Sequence, residues 1–178
     1  MRRLITIMRR VRRQPLLATS LCGVLVLGVL SRRCADRQIV INTSPSVPPG
    51  LYMRSGEEPR VGSLIDFKVP DAARDYLQSR TGSEGHDWYI LKPIVAGPED
   101  RVDTTGEWLV INGQRVASMP PSRDAEGREL PVWREVRTLG PAEFFVFSGL
   151  ITHSFDSRCY GPVTREQISS VRRPLFTW

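Results

Sequence analysis

One uncharged run, Pro15 to Leu30, decides how this chain can be organised. Its sequence, PLLATSLCGVLVLGVL, is just short of the roughly 20 apolar residues that a spanning helix prefers. It is longer than the usual apolar part of an export signal, and no small-x-small cleavage site follows it. Six arginines precede the run and three follow soon after. They can snorkel to the two interfaces, and their excess on the N-terminal side places that end in the cytoplasm. The expected organisation is a basic cytoplasmic tail over residues 1–13, an uncleaved single-span anchor over 14–31, and a folded domain over 38–178 on the far side of the membrane. A cleaved signal is the alternative.

The net charge of +6 and the pI near 9.8 invite a nucleic-acid reading until the charge is located. Nine arginines and one acid, Asp36, give residues 1–37 a charge of +8, which leaves residues 38–178 at −2. The body is slightly acidic, and the basicity belongs to the tail. That pattern suits the cytoplasmic flank of a membrane segment rather than a DNA-binding face. At 178 residues the chain holds one domain and an appendage.

Directly after the uncharged run lies Asn42-Thr43-Ser44-Pro45-Ser46-Val47-Pro48-Pro49-Gly50-Leu51-Tyr52. Its prolines fix φ near −65° and remove backbone donors, so the stretch neither continues a helix nor forms a central strand. Ser44 and Ser46 stand two apart in this stiffened backbone. A hydroxyl held in this way can attack a carbonyl once a base removes its proton; a bland loop also contains serine and proline.

Beyond this stretch, strand signals and turns alternate at short spacing with hardly any helical period, which predicts a mainly β, antiparallel domain. Val61–Val69 reads as a turn feeding a strand that Pro70 ends. Asp71–Leu77 reads as a short helix capped by Asp71, and Trp88–Gly97 as a strand. Glu107–Val116 reads as a hairpin turning at Asn112-Gly113. Residues 118–131 read as an exposed excursion, and Glu143–Phe147 as a buried strand. The segment 154–163 closes the domain ahead of a short C-terminal strand.

Lys92 is the candidate base. Flanked by Ile90, Leu91, Ile94 and Val95, its ammonium would be desolvated by a β core, and burial lowers a lysine's pKa toward the range where it can take a serine proton. Serine–lysine pairs are an alternative to the Ser-His-Asp triad; the competing reading is a lysine that snorkels to solvent. Asp156 and Arg158 share a face if they lie on a strand and would pair as a scaffold. Ser154 shares their parity and can orient the lysine amine. The two histidines, His86 and His153, are far apart, and the three cysteines, Cys22, Cys34 and Cys159, form no CxxC, so no metal site is expected. In an oxidising compartment Cys34 and Cys159 form either a disulfide or two unrelated thiols.

Three motifs in order carry a resemblance: Ser-x-Pro-x-Gly-Leu-Tyr at 46–52, Lys-Pro-x-x-Ala-Gly-Pro-Glu-Asp-x-Val at 92–102, and Ser-Phe-Asp-Ser-Arg-x-Tyr-Gly-Pro-Val at 154–163. Over residues 40–173 the chain resembles the type I signal peptidase family, and most closely its TraF-type branch of conjugative-transfer maturation peptidases. The loop Asp124-x-x-Gly-Arg-x-Leu-Pro-x-Trp133 also looks like that branch. Val47 stands where the housekeeping enzymes have Met, and Phe147-Ser148-Gly149 lacks their Asp.

The resemblance implies a coiled antiparallel β-fold with Ser46 as nucleophile and Lys92 as general base. It also implies Ser44 with the Ser46 N–H as oxyanion hole, Ser154 as the lysine-orienting residue and Asp156–Arg158 as a structural pair. No metal or organic cofactor is implied. The expected setting is a bacterial inner membrane with the peptidase domain in the periplasm. The expected substrate is an exported, pilin-like precursor, cleaved or cyclised through an acyl-enzyme. The alternatives are a general signal peptidase and an inactive membrane-anchored binding module of a conjugation apparatus. No nucleic-acid partner is expected.

Overall fold

A computed structural model describes residues 38–82 and 89–178. The tail and anchor expected over 1–31, with Cys22, Cys34 and His86, lie outside the described residues. Among the described residues no helix is long and apolar enough to cross a membrane. Residues 41–178 form one compact unit, which holds the features that follow apart from Ile39 and Val40 at the start of the first strand.

Eleven strands and two short helices make up the described chain: β1 Ile39–Asn42, β2 Gly50–Ser55, β3 Leu64–Lys68, α1 Arg74–Thr81, β4 Tyr89–Ala96, β5 Arg101–Asp103, β6 Trp108–Ile111, β7 Gln114–Ser118, β8 Val136–Thr138, β9 Glu143–Val146, α2 Ser157–Tyr160, β10 Val163–Thr164 and β11 Ile168–Thr177. They form a seven-stranded sheet in the order β1-β2-β11-β3-β4-β9-β10 and a four-stranded sheet in the order β7-β6-β5-β8. The expected mainly β, antiparallel architecture is present.

Local chemistry explains most element ends. Pro70 follows β3, and Gly82, at φ 67°, closes α1 with its N–H donating to Gln78 O at 2.8 Å. The β6–β7 hairpin turns at Asn112 (φ 50°) and Gly113 (φ 81°), a pair of left-handed residues that matches strand twist. The expected cap at Asp71 is not formed. A 3₁₀ turn at Asp71–Ala73 precedes α1, no side chain caps either piece, and the Asp71 carboxylate instead pairs with Arg74.

The continuous apolar run of β9 is buried on both faces. Phe144 and Val146 enter the main core with Ile65, Phe67, Ile94 and Val171, whereas Phe145 enters a second core with Val102, Leu109 and Leu139. One strand therefore belongs to both cores. The C-terminal strand is not short. β11 is ten residues long and runs between β2 and β3. Its Arg172 disguises it in sequence. The guanidinium is buried against Asp66 of β3, with Nε to Oδ1 at 2.7 Å and Nη2 to Oδ2 at 3.0 Å, and Ser170 Oγ donates to the same carboxylate at 2.5 Å.

The excursion expected over 118–131 is ordered around Asp124, whose carboxylate accepts from the Glu126 and Arg128 backbone N–H groups, from Arg128 Nε at 2.7 Å and from Tyr76 Oη at 3.1 Å. Leu130 packs on the main core, and Trp133 stacks on Phe145.

Candidate active site

The proline-rich stretch forms a loop between β1 and β2, and Asn42 holds it. The Asn42 Nδ2 donates to the carbonyls of Ser44, Val47 and Pro48 at 2.9, 2.8 and 3.2 Å, while Oδ1 accepts the Ser44 N–H at 3.2 Å. Tyr52 Oη donates to Pro48 O at 2.6 Å. Prolines donate no backbone hydrogen bonds, so side chains fix this loop. Ser46 is buried within it at 4% exposure, and Ser44 is exposed. Their hydroxyls lie 3.0 Å apart, and the Ser46 N–H reaches Ser44 Oγ at 3.4 Å.

Lys92 lies in the middle of β4, opposite Ile65 of β3, on the face that sends Ile90 and Ile94 into the main core. It is 4% exposed, and its Nζ donates to Ser154 Oγ at 3.0 Å. Burial lowers the lysine pKa to about 8; Asp156 raises it, Arg158 lowers it, and Cys159 raises it. The snorkelling alternative is excluded. Cys159 is a buried free thiol that burial and the nearby Asp156 push up to about 12, so it stays protonated.

Asp156 and Arg158 pair as expected, but not on a strand. Asp156 is the N-cap of α2: Oδ1 accepts the Arg158 N–H at 3.2 Å and Arg158 Nε at 2.8 Å, and Oδ2 accepts Nη2 at 2.9 Å. Arg158 also donates to Ser118 O at 2.7 Å, at the end of β7, and to Ser154 O at 3.4 Å. The guanidinium thus ties the second sheet to the backbone of the residue that holds Lys92. Both side chains are essentially buried.

Two strands bring the serine loop to the lysine. Ile94 of β4 pairs with Val146 of β9, and the Phe147 N–H just beyond β9 donates to Pro93 O at 3.2 Å. The next residue, buried Ser148, donates its hydroxyl to Ser46 O. On the other side Val47 packs with Leu91 and Tyr52. Ser46 and Lys92 are therefore each one residue from a direct packing contact. Among the described residues no hydrogen bond joins Ser46 Oγ to Lys92 Nζ.

Sequence reasoning missed Asn42 and Ser148. The first carries a signal, an Asn two residues before a serine in a turn; the second carries none, being 102 residues from its partner. No cluster of metal-ligating side chains occurs among the described residues.

The structure thus defines an antiparallel β domain with a desolvated lysine on a core strand, bonded to a serine. A sequence model of the family "Signal peptidase, peptidase S26" matches residues 13–176, and the chain belongs to that family. It is similar to a plasmid transfer protein TraF of Escherichia coli, 31% identical over 169 residues that cover 88% of this chain and 94% of that one. A second E. coli plasmid transfer protein TraF is 33% identical over 147 residues, covering 78% of this chain and 82% of that one. A conjugal transfer protein TraF of Agrobacterium fabrum is 28% identical over 150 residues, with the same coverages. A crystal structure of a signal peptidase I from Enterococcus faecalis aligns with TM-score 0.39 and 17% identity, covering 66% of this chain and 98% of that one.

Proposed function

We propose that the chain is a membrane-anchored serine endopeptidase that cleaves an exported precursor, a pilin-like subunit of a conjugal transfer apparatus, through a Ser46–Lys92 dyad. The single observation that carries this reading is the buried Lys92 ammonium, bonded to Ser154 with its pKa lowered to about 8. At neutral pH such a lysine is about one-tenth neutral, enough to act as a base, whereas an exposed lysine is almost wholly protonated.

Neutral Lys92 takes the Ser46 hydroxyl proton as Ser46 Oγ attacks the scissile carbonyl carbon. The resulting oxyanion is held by the Ser46 N–H and the Ser44 hydroxyl, each donor contributing about 3 kcal/mol. In the substrate-free arrangement these donors satisfy one another, so the entering carbonyl oxygen replaces Ser44 Oγ as acceptor, and rotation of Ser46 turns its hydroxyl toward Lys92. As the C–N bond breaks, the Lys92 ammonium protonates the leaving amine. Water, or an amine of the product itself, then attacks the Ser46 ester and restores the free hydroxyl. Ser154 orients the amine, and the Asp156–Arg158 pair braces Ser154.

A periplasmic setting at the inner membrane is supported by an apolar sheet face. Met53 of β2 and Phe176 of β11 share a face by register, and Trp178 stacks 6.1 Å from Phe176; all three are exposed. Such side chains suit a domain held at a membrane interface. The test is co-expression with the pilin precursor encoded beside the gene, with mass spectrometry of the product. Ser46→Ala and Lys92→Ala are expected to abolish processing and Ser44→Ala to reduce it. A product lighter by one water identifies cyclisation. Equal processing in all three variants would replace the peptidase reading with the inactive binding module.

A further inference from the structure

The ordered loop around Asp124 has no part in the dyad, yet it walls a cavity that opens beside it. Between α1 and residues 120–130 lies a space of about 150 Å³ whose boundary includes Ser154, the residue bonded to Lys92. Ligand pockets usually measure roughly 300–1,000 Å³. This one has room for a single side chain, not a small molecule. Its apolar walls come from Pro120, Pro121, Leu130, Phe155 and the Tyr76 ring, the last two stacked at 4.9 Å.

The charges around the cavity are unequal in their pairing. Asp124 and Glu126 both line it, and both are held by Arg128, at 2.7 Å each. Arg123 pairs with Glu129 at 3.4 Å. Arg80, in the last turn of α1, lines the cavity without an ion-pair partner among the described residues. Asp124 and Glu126 share the single charge of Arg128, so the groups around the space sum to zero, and Arg80 is the cation there with no direct ion pair among the described residues; beside the apolar wall it matches the methylenes and carboxylate of a glutamate.

Resting on the peptidase reading, we infer that this cavity is a specificity subsite for an acidic side chain of the substrate, read by Arg80. An extended peptide advances about 3.3 Å per residue, and the cavity adjoins the residue that holds the base. The acidic side chain thus belongs to a residue near the scissile bond. Arg80 acts on selection, not on the chemical step.

The test uses the full chain carrying Ser46→Ala in detergent micelles, so that bound peptide stays intact. The probes are fluorescein-labelled alanine-rich peptides in which each of the six positions around the scissile bond is in turn Glu, Ala or Lys. Anisotropy titration is expected to find one position where Glu binds about tenfold tighter than Lys. Adding Arg80→Gln levels that difference and Arg80→Glu reverses it, while Arg115→Glu, an equal charge change on β7, leaves it intact. Absence of binding, absence of an acid preference at every position, or a preference that survives Arg80→Glu overturns the inference. Cleavage of the same peptides by the chain with Ser46 restored reads the peptidase reading separately. Arg80-dependent binding without cleavage sinks the chemistry alone, and cleavage without it sinks the subsite alone.

Discussion

Lys92 Nζ and Ser154 Oγ meet at 3.0 Å inside the protein, although 62 residues of sequence separate them. The bond lies at the junction of three pieces of structure: a core strand, the segment before α2, and the arginine that ties that segment to the second sheet. It fixes where the amine points, and the surrounding core sets the amine's pKa. Ser154→Ala is expected to lower kcat about tenfold to a hundredfold while leaving KM nearly unchanged, since the amine loses orientation while Arg80, which reads the substrate, is untouched. Steady-state kinetics on a cleavable peptide separate the two parameters. A matching rise in KM with kcat unchanged would instead give Ser154 a role in substrate binding rather than in orienting the amine.

The rate should follow the neutral fraction of Lys92. With its pKa lowered to about 8 by burial, kcat/KM is expected to climb tenfold per pH unit below pH 8 and to level above it. Asp156 raises this pKa and Arg158 lowers it. In Asp156→Asn the limb therefore moves to lower pH, and in Arg158→Met to higher pH. Opposite displacements would be hard to obtain from a purely structural defect.

Stability carries the same signature. The lysine is protonated in both states below pH 8, so the folded protein bears the full burial cost of about 3 kcal/mol. From pH 8 to 10.5 the unfolded chain binds a proton that the folded chain does not. Stability contributed by this site therefore rises with pH across that window, and the cost is gone above it. Lys92→Met removes the cost but leaves Ser154 Oγ unpartnered, which costs about 1 kcal/mol. The variant is expected to be inactive and about 2 kcal/mol more stable than the parent at pH 7, with the gain gone near about pH 10 and reversed to a deficit of about 1 kcal/mol above it, in urea unfolding.

The Asp156–Arg158 pair is buried and bonded through both carboxylate oxygens. Removing either partner strands the other charge, and Arg158→Met or Asp156→Asn should cost about 3–5 kcal/mol in chemical denaturation. A loss below about 1 kcal/mol would show that the pair is solvated in solution.

Gly50 tests the frame of the serine loop. A Cβ there would collide with the Phe176 carbonyl and lie 2.9 Å from Thr177 Cα, both backbone atoms of β11. Gly50→Ala is expected to cost at least about 2 kcal/mol and to lower activity by shifting the loop that carries Ser46. Gly56→Ala, where the added carbon meets nothing within 4 Å, serves as the neutral comparison in thermal unfolding.

Several elements were legible because their causes are local. Asn112-Gly113 specifies its own turn, Pro70 ends its own strand, and the apolar run Phe144–Val146 announces burial from its own composition. The family was legible through motif order, since each motif is a short stretch of chain. Elsewhere the sequence was silent for a physical reason. Arg172 carried no sign of burial, because its carboxylate partner, Asp66, lies 106 residues away in sequence. The polar stretch 118–131 is largely exposed, as it reads; its order around Asp124 was hidden, because the Tyr76 hydroxyl that Asp124 accepts from lies on a different element.

The sequence by itself determined the alternation of strands and turns, the stiffness of the loop around Ser46 and the presence of a lone lysine in an apolar strand. Those properties follow from backbone sterics and side-chain type, which act over a few residues. Only the tertiary structure decided that the lysine is desolvated, that Ser154 holds it, that Ser148 bonds the serine loop and that Asp156 caps a helix rather than lining a strand. Burial and hydrogen bonding between segments tens of residues apart depend on where the whole chain places them, and no local pattern encodes that.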